Sequence, residues 1–154
     1  MTDQDLASPL VRDYTEQVQT RIERLAAMAA DGGLDEAITL MTDAIAAGGV
    51  IQAFGTGHSE AFAMEIAGRA GGLIPSTKIA LRDVVLRGNR TAGNSSGSEL
   101  ERDPNIAQEL WDVSTVAPQD LFMIASNSGV NGSIVGLAQL IKAHGHKLIA
   151  VTSL

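Results

Sequence analysis

The chain has 154 residues, enough for one domain with a substantial core; 45% are hydrophobic and 19% charged. A net charge of −7 and an aromatic content of only 3% argue against a nucleic-acid partner, which needs a basic face and stacking platforms. With no cysteine, disulfides, thiolate metal sites and cysteine nucleophiles are excluded, and no segment reaches the length of a membrane span.

The N-terminus, MTDQDLASPLVRDY, is polar and acidic and carries no secretory signal, so a soluble cytoplasmic protein is expected. Apolar residues Val11, Tyr14, Val18, Ile22 and Leu25 recur at helical spacing and predict a helix from about Pro9 to Ala30, ended by Asp31-Gly32-Gly33. A second helix follows, with Leu34, Ile38, Met41 and Ile45 on one face and Gly48-Gly49 as its stop. Val50 to Phe54 reads as a short strand leading into the turn GTGHS. Residues Glu60 to Ala70 are helical in pattern and stop at Gly71-Gly72.

Leu73 to about Ile79 predicts a weaker strand, and Pro75 suits an edge position because it removes a ladder donor. Residues 87–103, RGNRTAGNSSGSELERD, read as a long polar, glycine-rich loop, and a short helix is expected from Asn105 to Val113. The last unit is the clearest: strand Leu121–Ala125, the turn SNSGVN, helix Ser133–Ala143, Gly145 as stop, and strand Lys147–Thr152. Strands apolar throughout and alternating with helices imply a parallel sheet covered on both faces. The expected fold class is therefore α/β, an open three-layer αβα sandwich preceded by two N-terminal helices. The end at Val151-Thr152-Ser153-Leu154 follows directly on a strand, so the domain is expected to be truncated after its fourth strand.

In such sheets, ligands bind beyond the carboxyl ends of the strands. Three segments fall there: GTGHS (55–59), SNSGVN (126–131) and Thr152-Ser153. Backbone N–H groups at a helix start favour an anion by about 0.3–1 kcal/mol. Donors to a charged oxygen add about 1.5–3 kcal/mol each. Ser59, Ser126, Asn127, Ser128 and Asn131 together suit one phosphate, and helix capping is the alternative use of each. Two nucleotide motifs fail on spacing. Glu60 stands at the third glycine position of a dinucleotide fingerprint, and no GxxxxGK[ST] is present.

The stretches FGTGHSEAFAMEIAGRAGG, SELER and SNSGVN, with the close AHGHKLIAVTSL, resemble the sugar isomerase (SIS) domain family over roughly residues 34 to 154. They look most like a subgroup related to the sedoheptulose-7-phosphate isomerases and N-acetylmuramic acid 6-phosphate etherases. The resemblance divides the chain into a helical segment, 1–33, and a SIS domain, 34–154. It implies a flavodoxin-like sheet that binds a phosphosugar in a homodimer or higher homo-oligomer, in carbohydrate metabolism, with no cofactor and no metal. The family's serine-rich loop falls on Ser126, Asn127, Ser128 and Asn131, with Gly57 and Ser59 from the first loop and Ser153 after the last strand. Many members carry threonine where Asn131 stands, and a glutamate often occupies the position of Gly136.

Isomerase members use a glutamate as base, and the resemblance places that role on Glu65, with Arg69, a substrate-binding candidate, four residues on along the same face. A surface ion pair is the other reading of those two residues. His58 either assists ring opening, ligates a metal with Glu65, or is a turn histidine bonded to backbone. His144 and His146, at the opposite end of the sheet, are expected to be solvated. Arg87 and Arg90 either reach the phosphate or stand in solvent. Glu101-Arg102 matches a pair of the subgroup without an assigned role. The expected function is phosphosugar binding as part of an aldose–ketose isomerase, and the alternative is a non-catalytic sugar-phosphate sensor.

Overall fold

In the computed structural model of the chain, residues 9–91, 97–103 and 105–153 are described, and they divide into two compact units between Thr39 and Leu40. The first unit holds helix α1 (Pro9–Ala30) and the opening turn of α2 (Asp35–Ala46). No residue of α1 is buried. Its apolar stripe is open, with Tyr14 71% and Ile22 60% exposed. The helix closes as the glycines predict: Gly33 N donates to Met28 O at 2.8 Å, and Gly32 takes the left-handed φ of +82° that a Cβ disfavours.

The second unit continues with β1 (Ile51–Gly55), α3 (Glu60–Gly68), β2 (Ser76–Ile79), α4 (Asp83–Leu86), α5 (Gly97–Arg102), α6 (Ile106–Val113), β3 (Leu121–Ser126), α7 (Gly132–Ala143) and β4 (Lys147–Thr152). All strand pairs are parallel and run in the order β2-β1-β3-β4. The register aligns Ile51 with Ser76 on one side and Leu121 on the other, and Leu121 with Lys147. Both central strands are buried along their whole length, which explains why they read as unbroken apolar runs.

Two cores cover the two faces. One gathers Phe54, Phe122, Ile124, Leu110, Leu137 and Ile141, between the sheet and helices α4 to α7. The other packs Ile51, Leu121 and Met123 against Leu40, Met41, Ile45, Phe62 and Ile66, from α2 and α3. Each fully buried side chain of this size contributes about 1.5–3 kcal/mol. The expected three-layer sandwich is thus present, and β2, opening one residue after Pro75, lies at an edge of the sheet.

Two expectations need correction. The stretch read as a loop from 87 to 103 contains a helix, α5, and residues 92–96 of it lie outside the described residues. Polar composition hid the helix because a single apolar residue anchors it: Leu100 is only 3% exposed, in the core with Ile106 and Ile134. His146 is not solvated. It is buried, its Nδ1 lies 3.1 Å from Asp120 O, and its ring meets Phe122 edge-on at 5.2 Å. His144 is exposed as expected, stacked on Trp111 at 4.2 Å.

Candidate functional site

Every strand of the parallel sheet delivers its carboxyl end to one edge. The order reverses between β1, whose next strand lies to one side, and β3, whose next strand lies to the other. Such a reversal opens a crevice between the two turns that leave these strands.

The first turn is shaped by close approach. A Cβ on Gly55 would collide with the backbone carbonyl of Ser59, and Gly57 adopts φ +55°. Gly57 to Ser59 form a single 3-10 turn closed by Ser59 N donating to Thr56 O at 3.0 Å. Gly57 and His58 are exposed and Ser59 is half-buried. Ser59 opens α3 without a side-chain capping bond.

The second turn begins at the last residue of β3. The hydroxyl oxygen of buried Ser126 accepts the N–H of Gly129 at 3.0 Å, and Gly129 itself has φ +66°. Thr152, at the end of β4, faces that glycine. Asn127 and Ser128 are exposed at the tip. Asn131 stands at the N-cap of α7, yet no side-chain capping bond forms there. Its amide turns instead to Glu101, donating from Nδ2 to Oε2 at 3.3 Å. The first N–H groups of α7 have no partner within the helix, because intrahelical bonding begins with Val135 N to Asn131 O at 3.0 Å.

Glu101, to which sequence reasoning assigned no role, joins the two turns. Its backbone carbonyl accepts the hydroxyl of fully buried Ser133 at 2.9 Å, tying α5 to α7. Its carboxylate lies beside Gly57, where a Cβ would stand 3.1 Å from Oε1. It takes part in none of the ion pairs formed among the described residues. The sequence signal was Leu100, an apolar anchor one position before it, and a single such residue is too little to detect.

The remaining candidates are distributed differently. Glu65 and Arg69, both exposed on α3, form an ion pair at 2.9 Å. No hydrogen bond or ion pair among the described residues joins His58 to Glu65. Ser153 is exposed just after β4. Arg87 pairs with Asp83 at 2.8 Å. Arg90 is held between Glu109 (2.6 Å) and Asp103 (3.1 Å), so its guanidinium is engaged by two carboxylates rather than standing free in solvent. That engagement raises the Arg90 pKa above its ordinary value, chiefly through the bond to Glu109, and the same bond holds Glu109 low. Among the described residues no cluster of three or more His, Cys, Asp or Glu side chains could hold a metal ion, and no helix is long and apolar enough to cross a membrane.

Comparison with known proteins places this geometry in context. The family model described as the SIS domain matches residues 13–153. A UPF0309 protein of Listeria monocytogenes is 40% identical over 121 residues, 79% of this chain and 46% of that protein. Another, from Geobacillus kaustophilus, is 32% identical over 145 residues, 94% of this chain and 56% of that protein. The chain thus spans about half the length of these relatives. Among solved structures, a phosphoheptose isomerase from Francisella tularensis superposes with a TM-score of 0.67 at 19% identity, over 99% of this chain and 75% of that one. The phosphoheptose isomerase of Neisseria gonorrhoeae gives 0.59 at 16% identity, over 93% and 72%. At these identities the likeness is one of fold.

Proposed function

Because the chain belongs to the SIS domain family, we propose that it binds the phosphate of a sugar phosphate on the turn 126–131, as part of an aldose–ketose isomerase. The observation that carries this reading is the state of the turn's polar groups. Asn127 and Ser128 are exposed in the turn, and Asn131 at the N-cap of the twelve-residue helix makes no capping bond. An anion at that position would meet free N–H groups, a favourable dipole and hydroxyl or amide donors together. Gly57 and Ser59 would approach from the first turn and Ser153 from the end of β4. The phosphoheptose isomerase likeness supports the fold that such a site requires.

Calorimetric titration tests the reading. The protein should bind sugar phosphates and not the same sugars without phosphate. Ser128→Ala should weaken binding by about 1.5–3 kcal/mol, roughly ten- to a hundredfold. Equal binding of phosphorylated and free sugars, or an unaltered Ser128→Ala affinity, would remove the proposal.

One observation favours the sensor reading for the chain: Glu65 is engaged with Arg69 on an exposed face, and no hydrogen bond or ion pair among the described residues joins it to His58. In the isomerase reading Glu65 is the base and His58 the ring-opening group, with Arg69 a substrate-binding group beside them. The proposal further includes a homo-oligomer, supported by the open apolar stripe of Tyr14, Val18, Ile22 and Leu25. Sedimentation should then give a mass above the 16.0 kDa of one chain.

A further inference from the structure

We infer that Glu101 reads the sugar hydroxyls of the ligand, and so sets the preference of this site for a sugar phosphate over a bare phosphate. The inference rests on the phosphate reading of the turn 126–131 and extends it to the other end of the ligand.

Three facts point to this carboxylate. It lies at the switch point, between Gly57 in the turn after β1 and Asn131 at the start of α7. It is held from behind rather than from in front: Leu100 is buried in the core, and Ser133 fixes the backbone carbonyl of Glu101. The carboxylate therefore points out of a rigid support, which is how a recognition group keeps its aim. It also lines a cleft of about 400 Å³ with Gly57, Glu60, Arg82 and Leu86, a volume suited to a small ligand.

The charge arrangement decides what it can bind. Glu60 is neutralised by Lys78 at 3.2 Å, with Arg82 at 3.9 Å. Glu101 forms none of the ion pairs among the described residues, and its only side-chain hydrogen bond there is the one from Asn131. An ionised carboxylate is an acceptor only, with room for about four donors on two oxygens. One is taken, and neutral hydroxyls are donors that fit the rest without adding charge. A phosphate oxygen, by contrast, is repelled by it. The amide of Asn131 carries two N–H groups, and one is on Glu101. The second is available to the phosphate, so Asn131 couples the two halves of the site. A ligand with phosphate on the turn and hydroxyls toward Gly57 satisfies both ends. Inorganic phosphate satisfies one and leaves the other without donors.

The test compares Glu101→Gln with the unchanged protein, titrating each with inorganic phosphate and with sedoheptulose 7-phosphate, fructose 6-phosphate and ribose 5-phosphate. The glutamine keeps the side-chain shape and an acceptor for Asn131, and an unchanged melting temperature verifies the fold. The expected result is that the best sugar phosphate loses at least about tenfold in affinity relative to inorganic phosphate, because charged acceptors to the hydroxyls are replaced by neutral ones. A relative affinity unaltered by Glu101→Gln overturns the inference and leaves the phosphate reading standing. So does an unchanged protein that binds inorganic phosphate as tightly as every sugar phosphate. Failure of the unchanged protein to bind any of the four removes both together.

Discussion

Gly57 shows how a single backbone position can govern a site. Its φ of +55° lies in the left-handed region, and its missing Cβ leaves room for the Glu101 carboxylate. Gly57→Ala should therefore cost about 1–2 kcal/mol from the backbone alone. The added methyl, 3.1 Å from Oε1, should also move Glu101. Denaturant melts read the first effect and titration with sugar phosphates the second. A variant as stable as the parent would mean that the turn relaxes to another geometry. The polar residues of this turn and its partner were legible in the sequence because Gly, Ser, Thr and Asn cluster there. Their bonding was not. Ser126 and Ser133 are both serines at the mouth of α7, yet one closes a turn through Gly129 and the other secures α5 through Glu101. Which carbonyl or N–H a hydroxyl meets depends on chain segments far away in sequence.

At the scale of elements, the connection from α4 to α6 is fastened by one arginine. Arg90 bonds both carboxylate oxygens of Glu109, at 2.7 and 2.6 Å, and one of Asp103 at 3.1 Å. Glu109 is held below its ordinary pKa mainly by Arg90, and Asp103 is held low first by the N–H of Asn105 and then by Arg90. Carboxylates with depressed folded pKa values add stability above the unfolded pKa, near pH 4. That stability is lost as pH falls through the folded values. Arg90→Ala should cost about 1 kcal/mol at neutral pH, a modest figure because all three side chains are partly solvated. It should also make the loss of stability below about pH 4 shallower than in the parent. Urea melts across pH 2–7 measure both, and parallel curves for parent and variant would show that the clamp carries no charge-linked stability. In the sequence this region reads as a loop. The helix α5 is six residues long and anchored by one leucine, below what periodicity can register.

At the scale of the whole molecule, the proposed binding of a sugar phosphate has two forms, turnover of the ligand or holding it. If Glu65 is the base, the protein should exchange the ligand's carbon-bound hydrogen with solvent deuterium. Glu65→Gln should then abolish that exchange while leaving sugar-phosphate affinity within about threefold, since the residue acts on the reacting carbon and not on the phosphate. The structure has Glu65 paired at 2.9 Å with Arg69 on the surface of α3, so freeing it for proton transfer requires breaking an exposed pair worth under about 1 kcal/mol. Exchange that persists in Glu65→Gln would move the base elsewhere. Binding without any exchange in the parent would favour the sensor.

The sequence by itself determined the layer order. Apolar runs of five or six residues alternating with amphipathic helices indicate a parallel sheet covered by helices, and β1, β3 and the helices around them follow it. It also determined that the turns GTGHS, SNSGVN and Thr152-Ser153 share one edge, because parallel strands must place all their carboxyl-end turns there. Only the tertiary structure decided which side chains meet there. Glu101 reaches Gly57 across 44 positions of sequence and Asn131 across 30, and Arg90 crosses 19 to find Glu109. Local pattern sets the period of an element, but packing between elements sets such meetings, and their geometry exists only once the core has closed.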